Sequence, residues 1–590
     1  MPSKKRNSGS NQEGKKLSLK DLSEWAEQNN IQIESSSYEQ QYGRTIDRKD
    51  MRLTVPRNEP PMMYRAQIQG RCDLQFGGES HDRRQWLRQW IRPYSLDYKP
   101  SYQYKYETLD SEDYNNTFHS TEIQFPYRVF SNSGQDSILR PVITVHGIPF
   151  IPGSSIKGLF KRLIQKKSKD CQDIEIISKY CGTQEIPGIL RFHGAYPIGD
   201  WSERMLDIVH PQQSRQLRDS KSTSASALIS FYKPKFIFEF SSINSDIDWK
   251  NVDKVLNEAL TIGLGGKTST GYGFSSKPNY AEPKNLEKYE TALHVSFKGE
   301  GVCSTLLNKK PEIRPNMFKA SLRGHIMRLL GGVCSSENAV NQSVDLLLGN
   351  TDREGIIKLF WESTDEQYFD DTTPISYSTE GVLHISGDSR ADSGDIRFIA
   401  KVIQFAYVMG GFGKSWRRVW HQEFKPDYTK FAIGCHWQLK SDWNNFSENL
   451  NVNSAETLKL FLQDLHQICL SRPGSYSPAL IANWREAWHP DRVDVYSKVV
   501  NNSISQAAPL FHQEPFKYTL AIGGRERDGQ PTSVSSVWHR MLPIGDGKYL
   551  EVVTVFRQPL DNWNHRNEGN MRDRFIKQLT DRGFGLVWGN

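Results

Sequence analysis

The chain has no run of about 18 or more apolar residues, so it offers no transmembrane helix candidate. Its seven cysteines, at positions 72, 171, 181, 303, 334, 435 and 469, include no CxxC pair. An odd, scattered set of thiols argues against zinc knuckles and against a disulfide scaffold, and predicts free thiols in a reducing, cytoplasmic compartment. The opening "MPSKKRNSGSNQEGKK" is basic but lacks an apolar segment, so no secretory leader is expected there. Charge of one sign is also missing: 75 basic residues stand against 68 acidic ones, a net +7 that permits a polyanionic partner without demanding one. HExxH, GxSxG and kinase signatures are absent. Two Gly-Lys loops invite comparison with nucleotide-binding P-loops. Thr261 and Val408 stand where the first glycine of that motif is required, which excludes it.

What is present is a repeat. At 590 residues the chain holds two to four domains. "SSIKGLFKRLI" (154–164) matches "ASLRGHIMRLL" (320–330) at an offset of 166, and "CGTQEIPGIL" (181–190) matches "LGNTDREGII" (348–357) at 167. "GLGGKTSTGYGF" (263–274) matches "GGFGKSWRRVW" (410–420) at 147. Three similar segments in one order predict a duplicated unit. Each copy starts with strand-like residues, "MMYRAQIQGRCDLQFG" (62–77) and "TALHVSFKGEGVCS" (291–304), then runs helix, turn, strand, helix and glycine loop. That order predicts an α+β ferredoxin-like unit. The expected boundaries are a polar basic tail with a short helix over 1–50, a first unit over 51–285 with an insertion near 78–125, and a second, degenerate unit with C-terminal additions over 286–590.

The chemistry-bearing residues cluster in the repeats. Ile156, Leu159, Phe160, Leu163 and Ile164 follow helical spacing and predict one buried face. Ser154 or Ser155 is a natural cap, and six positive charges with no negative one lie between 147 and 169. A capped helix start with Lys157, Lys161 and Arg162 has the ingredients of a phosphate site. The second copy places Arg323 and Arg328 correspondingly. In the late loops Gly265 and Gly266 free the backbone to approach a ligand, Lys267, Lys414, Arg417 and Arg418 supply charge, and Tyr272, Trp416 and Trp420 supply faces for base stacking. Some of these arginines are alternatively expected to pair with acidic residues in the core. His146, His193 and His325 read as structural. "RRQWLRQWIRPYSLDYKPSYQYKY" (83–106) interleaves aromatics with cations, which suits nucleic acid, a neighbouring subunit or plain packing. Asp136, in the polar loop "SNSGQDSILRPV", is the single catalytic candidate, as a carboxylate that positions a metal or deprotonates a 2′-hydroxyl, with turn stabilisation as the alternative.

"GIPFIPGSSIKGLFKRLI", "SKYCGTQEIPGILRFHGAYP" and "GLGGKTSTGYG" together resemble the RAMP superfamily, the crRNA-binding subunits of type III CRISPR effector complexes. The likeness spans roughly 130–275 and continues through the second copy to about 420; "SVWHRMLPIGDGKYLEVVTVF" (536–556) is similar to late hairpins of such proteins. The resemblance implies tandem modified ferredoxin-like (RRM-like) domains in a ribonucleoprotein, with crRNA, target RNA, other RAMP subunits and a large signature subunit as partners. It also implies target-RNA cutting, with Mg2+, by subunits that carry a loop aspartate before the helix. Asp136 lies five residues before Pro141, farther than in that pattern. The expected role is therefore guide binding, with cutting at Asp136 or crRNA processing as the enzymatic alternatives.

Overall fold

In a computed structural model of the chain, residues 117–131, 133–135, 138–140, 142, 150–166, 172–198, 206–209, 217–218, 226–242, 244–276, 292–305, 311–350, 353–440, 450–472, 476–522, 526–527, 530–531, 534–565 and 567–590 are described, with two short strands at 32–34 and 52–54. The chain divides into two units, 1–105 with 145–148, and 106–144 with 149–590. In the first, Gln32–Glu34 pairs antiparallel with Arg52–Thr54. All other described elements belong to the second.

That second unit contains four four-stranded sheets: a short-stranded one of Ser133–Gln135, Ile138–Arg140, Ser226–Ile229 and Leu206–Val209, and three larger ones, each in a module with helices. The first module comprises β1 (Phe118–Gln124), α1 (Gly153–Lys166), α2 (Gln172–Cys181), β2 (Leu190–Ile198), β3 (Lys235–Ser242) and α3 (Trp249–Leu260). Its strand order is β1-β3-β2, with Ile151–Pro152 added beyond β2. The second comprises β4 (Ala292–Val302), α4 (Asn316–Gly331), α5 (Glu337–Leu348), β5 (Ile357–Phe369), β6 (Ser376–Gly387), α6 (Ser393–Met409) and β7 (Cys435–Leu439), in the order β5-β6-β4-β7. This is the second–third–first–fourth order of a ferredoxin-like βαββαβ unit. The fold is α+β, as the pattern of elements predicted.

Alternation explains the strands. In β4, Leu293, Val295 and Phe297 are buried while His294, Ser296 and Lys298 are half-buried, the period of two of a pleated strand packed on one face. Residues 118–124 fall inside the stretch expected as an insertion, yet they form the core-module strand β1, paired along its length with β3. The strand-like 62–77 lies outside the described residues.

The duplication is visible in backbone detail. In the first turn Gly182 N donates to Ser178 O at 2.7 Å, Thr183 N to Ile186 O at 2.9 Å and Ile189 N to Lys179 O at 3.1 Å. In the second, Gly349 N donates to Asp345 O, Asn350 N to Arg353 O and Ile356 N to Leu346 O, at 2.9, 2.9 and 3.0 Å. Every atom pair is displaced by the same 167 residues. The glycines are needed because the turn folds back on itself: a Cβ on Gly182 would sit 2.4 Å from Gly188 N, and one on Gly349 would sit 2.6 Å from Gly355 N. Both first glycines also hold positive φ, +76° and +75°.

A third module follows α7 (Ala455–Leu470): β8 (Val493–Val500), β9 (Val537–Gly545), β10 (Lys548–Phe556), α8 (Arg572–Asp581) and β11 (Gly585–Trp588). Its sheet runs β9-β10-β8-β11, again second–third–first–fourth. Within 421–590, read from sequence as a remainder plus additions, this is a further ferredoxin-like sheet. The modules are packed in series. Tyr127 donates to Trp361 O at 2.8 Å and Arg128 forks onto Glu312 with two 2.7 Å bonds, joining the first to the second. His539 N donates to Arg417 O at 3.0 Å and Trp416 stands edge-on to Trp538 at 4.8 Å, joining the second to the third. One apolar cluster runs from Tyr127 and Phe130 to Trp538 and Trp588.

Candidate nucleic-acid interface

Helix α1 starts where the chain leaves its short antiparallel pairing with β2, Ile151 opposite Ala195 and Pro152 opposite Gly194. Pro152 precedes it, a residue suited to a helix start, and Gly153 opens it because any Cβ there would lie 1.8 Å from Phe192 O. Ser154 and Ser155, expected just outside the helix, are therefore its second and third residues, and both are exposed. Ile156, Leu159, Phe160 and Leu163 are at most 4% exposed, with Phe160 edge-on to Phe192 at 5.2 Å. That anchored face leaves Lys161 and Arg162 exposed and Lys157 half-buried on the rest of the helix. The first turn has no acidic residue. Backbone N–H groups at such a start lack intrahelical acceptors and carry the positive end of the helix dipole. The helix start thus carries two exposed hydroxyls, with Lys161 and Arg162 exposed farther along the same helix.

The first glycine loop differs from the expected supple finger. Gly265 is exposed, but a Cβ on it would sit 2.1 Å from Phe130 O, and Gly266 N already donates to that oxygen at 2.9 Å. Leu264 N donates to Gly273 O at 2.8 Å and Gly273 N to Arg128 O at 3.1 Å. The glycines let the loop lie tightly on the first module. Tyr272 is 1% exposed and packs edge-on to Phe130 at 5.3 Å, so its ring offers no face to a base. Lys267 is half-buried in a left-handed conformation, φ +60°, with Nζ 5.8 Å above the Phe130 ring.

Residues 77–276 match the family model described as the RAMP superfamily. This segment is a RAMP-superfamily domain. No curated protein matches the chain. Among solved structures, Cmr1 from Pyrococcus furiosus is 12% identical over 50% of this chain and 99% of its own, at a TM-score of 0.33. A type III-B Cmr-beta bound to cognate target RNA is 21% identical over 27% of this chain and 57% of its own, TM-score 0.22. Cmr6 from Pyrococcus furiosus is 19% identical over 27% of this chain and 97% of its own, TM-score 0.19.

Outside the RAMP domain, the second copy has put the same residue types to another use. Helix α4 is covered where α1 is open, because 482–489 and the loop at 416–417 lie over it. A Cβ on Gly332 would sit 2.0 Å from Trp488 O, and Trp488 N donates to Arg328 O at 2.9 Å. Lys161 is matched by Met327, 3% exposed, and Arg162 by Arg328, 0% exposed. Arg328 Nε donates to Glu486 at 2.7 Å, Arg417 Nη2 donates to both its oxygens at 2.8 and 3.0 Å, and Arg485 also pairs with it. Burial alone would raise the Glu486 pKa, but Arg417, Arg485 and Arg328 outweigh it and hold the carboxyl at about 2.

Arg328, Arg417, Trp416 and Tyr272 are thus corrected from RNA contacts to core groups: a side chain sealed from solvent cannot meet a phosphate or a base. Arg418 is half-buried and donates to Val537 O at 3.2 Å. Trp420 is 4% exposed. Arg323 is tied to Asp345 at 2.9 Å and to Gly349 O, which makes it a clamp on the glycine turn with part of its side chain still in solvent. Lys414 is exposed. His325 is 0% exposed, edge-on to Phe405 and Trp416, with its pKa driven well below the usual value by burial. His193 bonds Ser241 Oγ at 2.8 Å.

Asp136, His146 and the aromatic–basic 83–106 segment lie outside the described residues. Among the described residues no group of three His, Cys, Asp or Glu side chains could hold a metal ion, and no helix is long and apolar enough to cross a membrane. The five described cysteines, 181, 303, 334, 435 and 469, are free and buried. Sequence reasoning passed over Lys319, which α4 carries where the repeat aligns Gly153. The identity of the repeat was legible; the replacement of its most constrained glycine by a long cation was the signal that went unused.

Proposed function

We propose that the chain is a subunit of a type III CRISPR ribonucleoprotein that binds crRNA and the guide–target duplex and helps assemble the effector backbone alongside other RAMP subunits. The observation that carries this is the outer face of α1, where Ser154, Ser155, Lys161 and Arg162 are exposed beside an acid-free helix start in a RAMP-superfamily domain. Such a surface neutralises a polyanion without reading its sequence, which suits a strand presented for pairing. Lys157 and Lys267 add half-buried charge, and Lys414 adds a site on the second module. Purifying the chain with its native partners tests the reading: short RNAs of uniform length copurify with it and with several proteins, and preparations free of RNA contradict it. For cutting, Asp136→Ala in an assembled complex with matched target RNA removes one cleavage and spares binding if Asp136 carries the chemistry. Unchanged cutting assigns it elsewhere.

A further inference from the structure

At the position matched to Gly153, α4 bears Lys319, one helical turn before Arg323. The side chain is 9% exposed and crosses into the first module, where Nζ donates to Ser269 Oγ at 2.6 Å. An ammonium carries three donors, and this hydroxyl takes one. Among the described residues no carboxylate forms an ion pair with Lys319. The charged groups facing it are Arg323 on its own helix, Lys267 at the head of the Ser269 turn, and Glu354 before β5. Glu354 is engaged by Lys358 at 3.3 Å, and the carboxylate of Arg323 is Asp345 at 2.9 Å. Burial, then repulsion from Arg323 and Lys267 against the weaker pull of Glu354, pushes Lys319 down to about 7. A buried cation without a counter-charge is costly unless something supplies one. Around it, Lys267, Thr268, Ser269, Thr270 and Arg323 are all half-buried, each keeping part of its surface in solvent.

We infer that Lys319, Lys267 and Arg323 hold one phosphate of a bound single-stranded RNA at the seam between the first and second modules. This rests on the RNA-binding reading above and adds to it a phosphate subsite contributed by both copies of the repeat. The strand supplies the missing negative charge, and its binding ties the two modules together. Above neutral pH Lys319 must take up a proton as the phosphate arrives, so affinity falls as pH rises.

The test uses the full chain and a fluorescent oligouridylate, with dissociation constants measured from about pH 6 to about pH 9. Wild-type affinity is expected to fall by up to about tenfold per pH unit above neutrality. Lys319→Arg is expected to bind with little pH dependence, and Lys319→Met to bind more weakly with an equally flat profile. Melting of Lys319→Met no lower than wild type excludes unfolding as the cause, since the substitution removes an unpaired buried charge. Wild-type binding that is flat with pH and unchanged in Lys319→Met overturns this subsite and leaves the RNA-binding reading standing. A wild-type chain that binds no oligouridylate overturns both. Inorganic phosphate that raises the melting of wild type but not of Lys319→Met, with RNA affinity unaffected by the substitution, overturns the strand as the occupant.

Discussion

A single carboxylate, Glu486, decides what three arginines do. With Arg328, Arg417 and Arg485 converging on it at 0–8% exposure, the group keeps an excess of positive charge inside the molecule. Removing one partner of a buried pair costs about 3–5 kcal/mol, because the charge left behind is uncompensated. Glu486→Gln is therefore expected to lose stability of that order in chemical denaturation at neutral pH, and more than Arg328→Met, which relieves repulsion as it breaks a bond. The sign with pH follows from a folded pKa of about 2 against a usual 4.5. The stabilisation is fully present above 4.5 and is lost as pH falls toward 2, so wild type and Glu486→Gln should converge over that window. A constant difference there contradicts the assignment. Nothing local in the sequence announced this cluster: Arg328 and Glu486 are 158 residues apart. Motif likeness to Arg162 drew Arg328 toward RNA, whereas its burial was decided by what packs over α4.

The elements most legible in the sequence were those whose constraints are local. Apolar spacing gave the buried face of α1, and the repeated Gly-x5-Gly spacing gave a turn whose hydrogen bonds recur at one fixed offset. Two glycines of the same module make opposite predictions. Gly182→Ala forces a side chain at φ +76° into backbone 2.4 Å away. It is expected to cost about 1–3 kcal/mol in thermal or chemical unfolding. On α1, a Cβ on Gly158 meets nothing within 4 Å. Gly158→Ala should stabilise the helix by about 1 kcal/mol. If a strand approaches the backbone there, the same change weakens RNA binding, and a variant that is both more stable and equally tight detaches Gly158 from the ligand. The late loop was less legible. Its glycines read as freeing the backbone for a ligand, whereas the group they let approach is the chain itself at Phe130 O.

On the scale of the whole molecule, three ferredoxin-like sheets stand in series, and of the two copies of the repeat helix only the first, α1, leaves its cations open to solvent. From sequence, 421–590 reads as the rest of the second unit plus additions, with "SVWHRMLPIGDGKYLEVVTVF" similar to late hairpins, because it carries neither the Ser-x-Lys-Gly helix nor the glycine turn that marks the repeat. Topology survives where motif does not. Burial of α4 beneath 482–489 then explains why duplication of the sequence did not duplicate the surface. The account's central claim is that the outer face of α1 neutralises RNA phosphates, and the salt dependence of RNA affinity tests it most directly. For single strands, each phosphate neutralised contributes about 0.7 to the slope of log affinity against log salt. A folded Lys161→Glu/Arg162→Glu variant is predicted to bind more weakly, with a slope smaller by about 1.4. The same affinity and slope as wild type would contradict it.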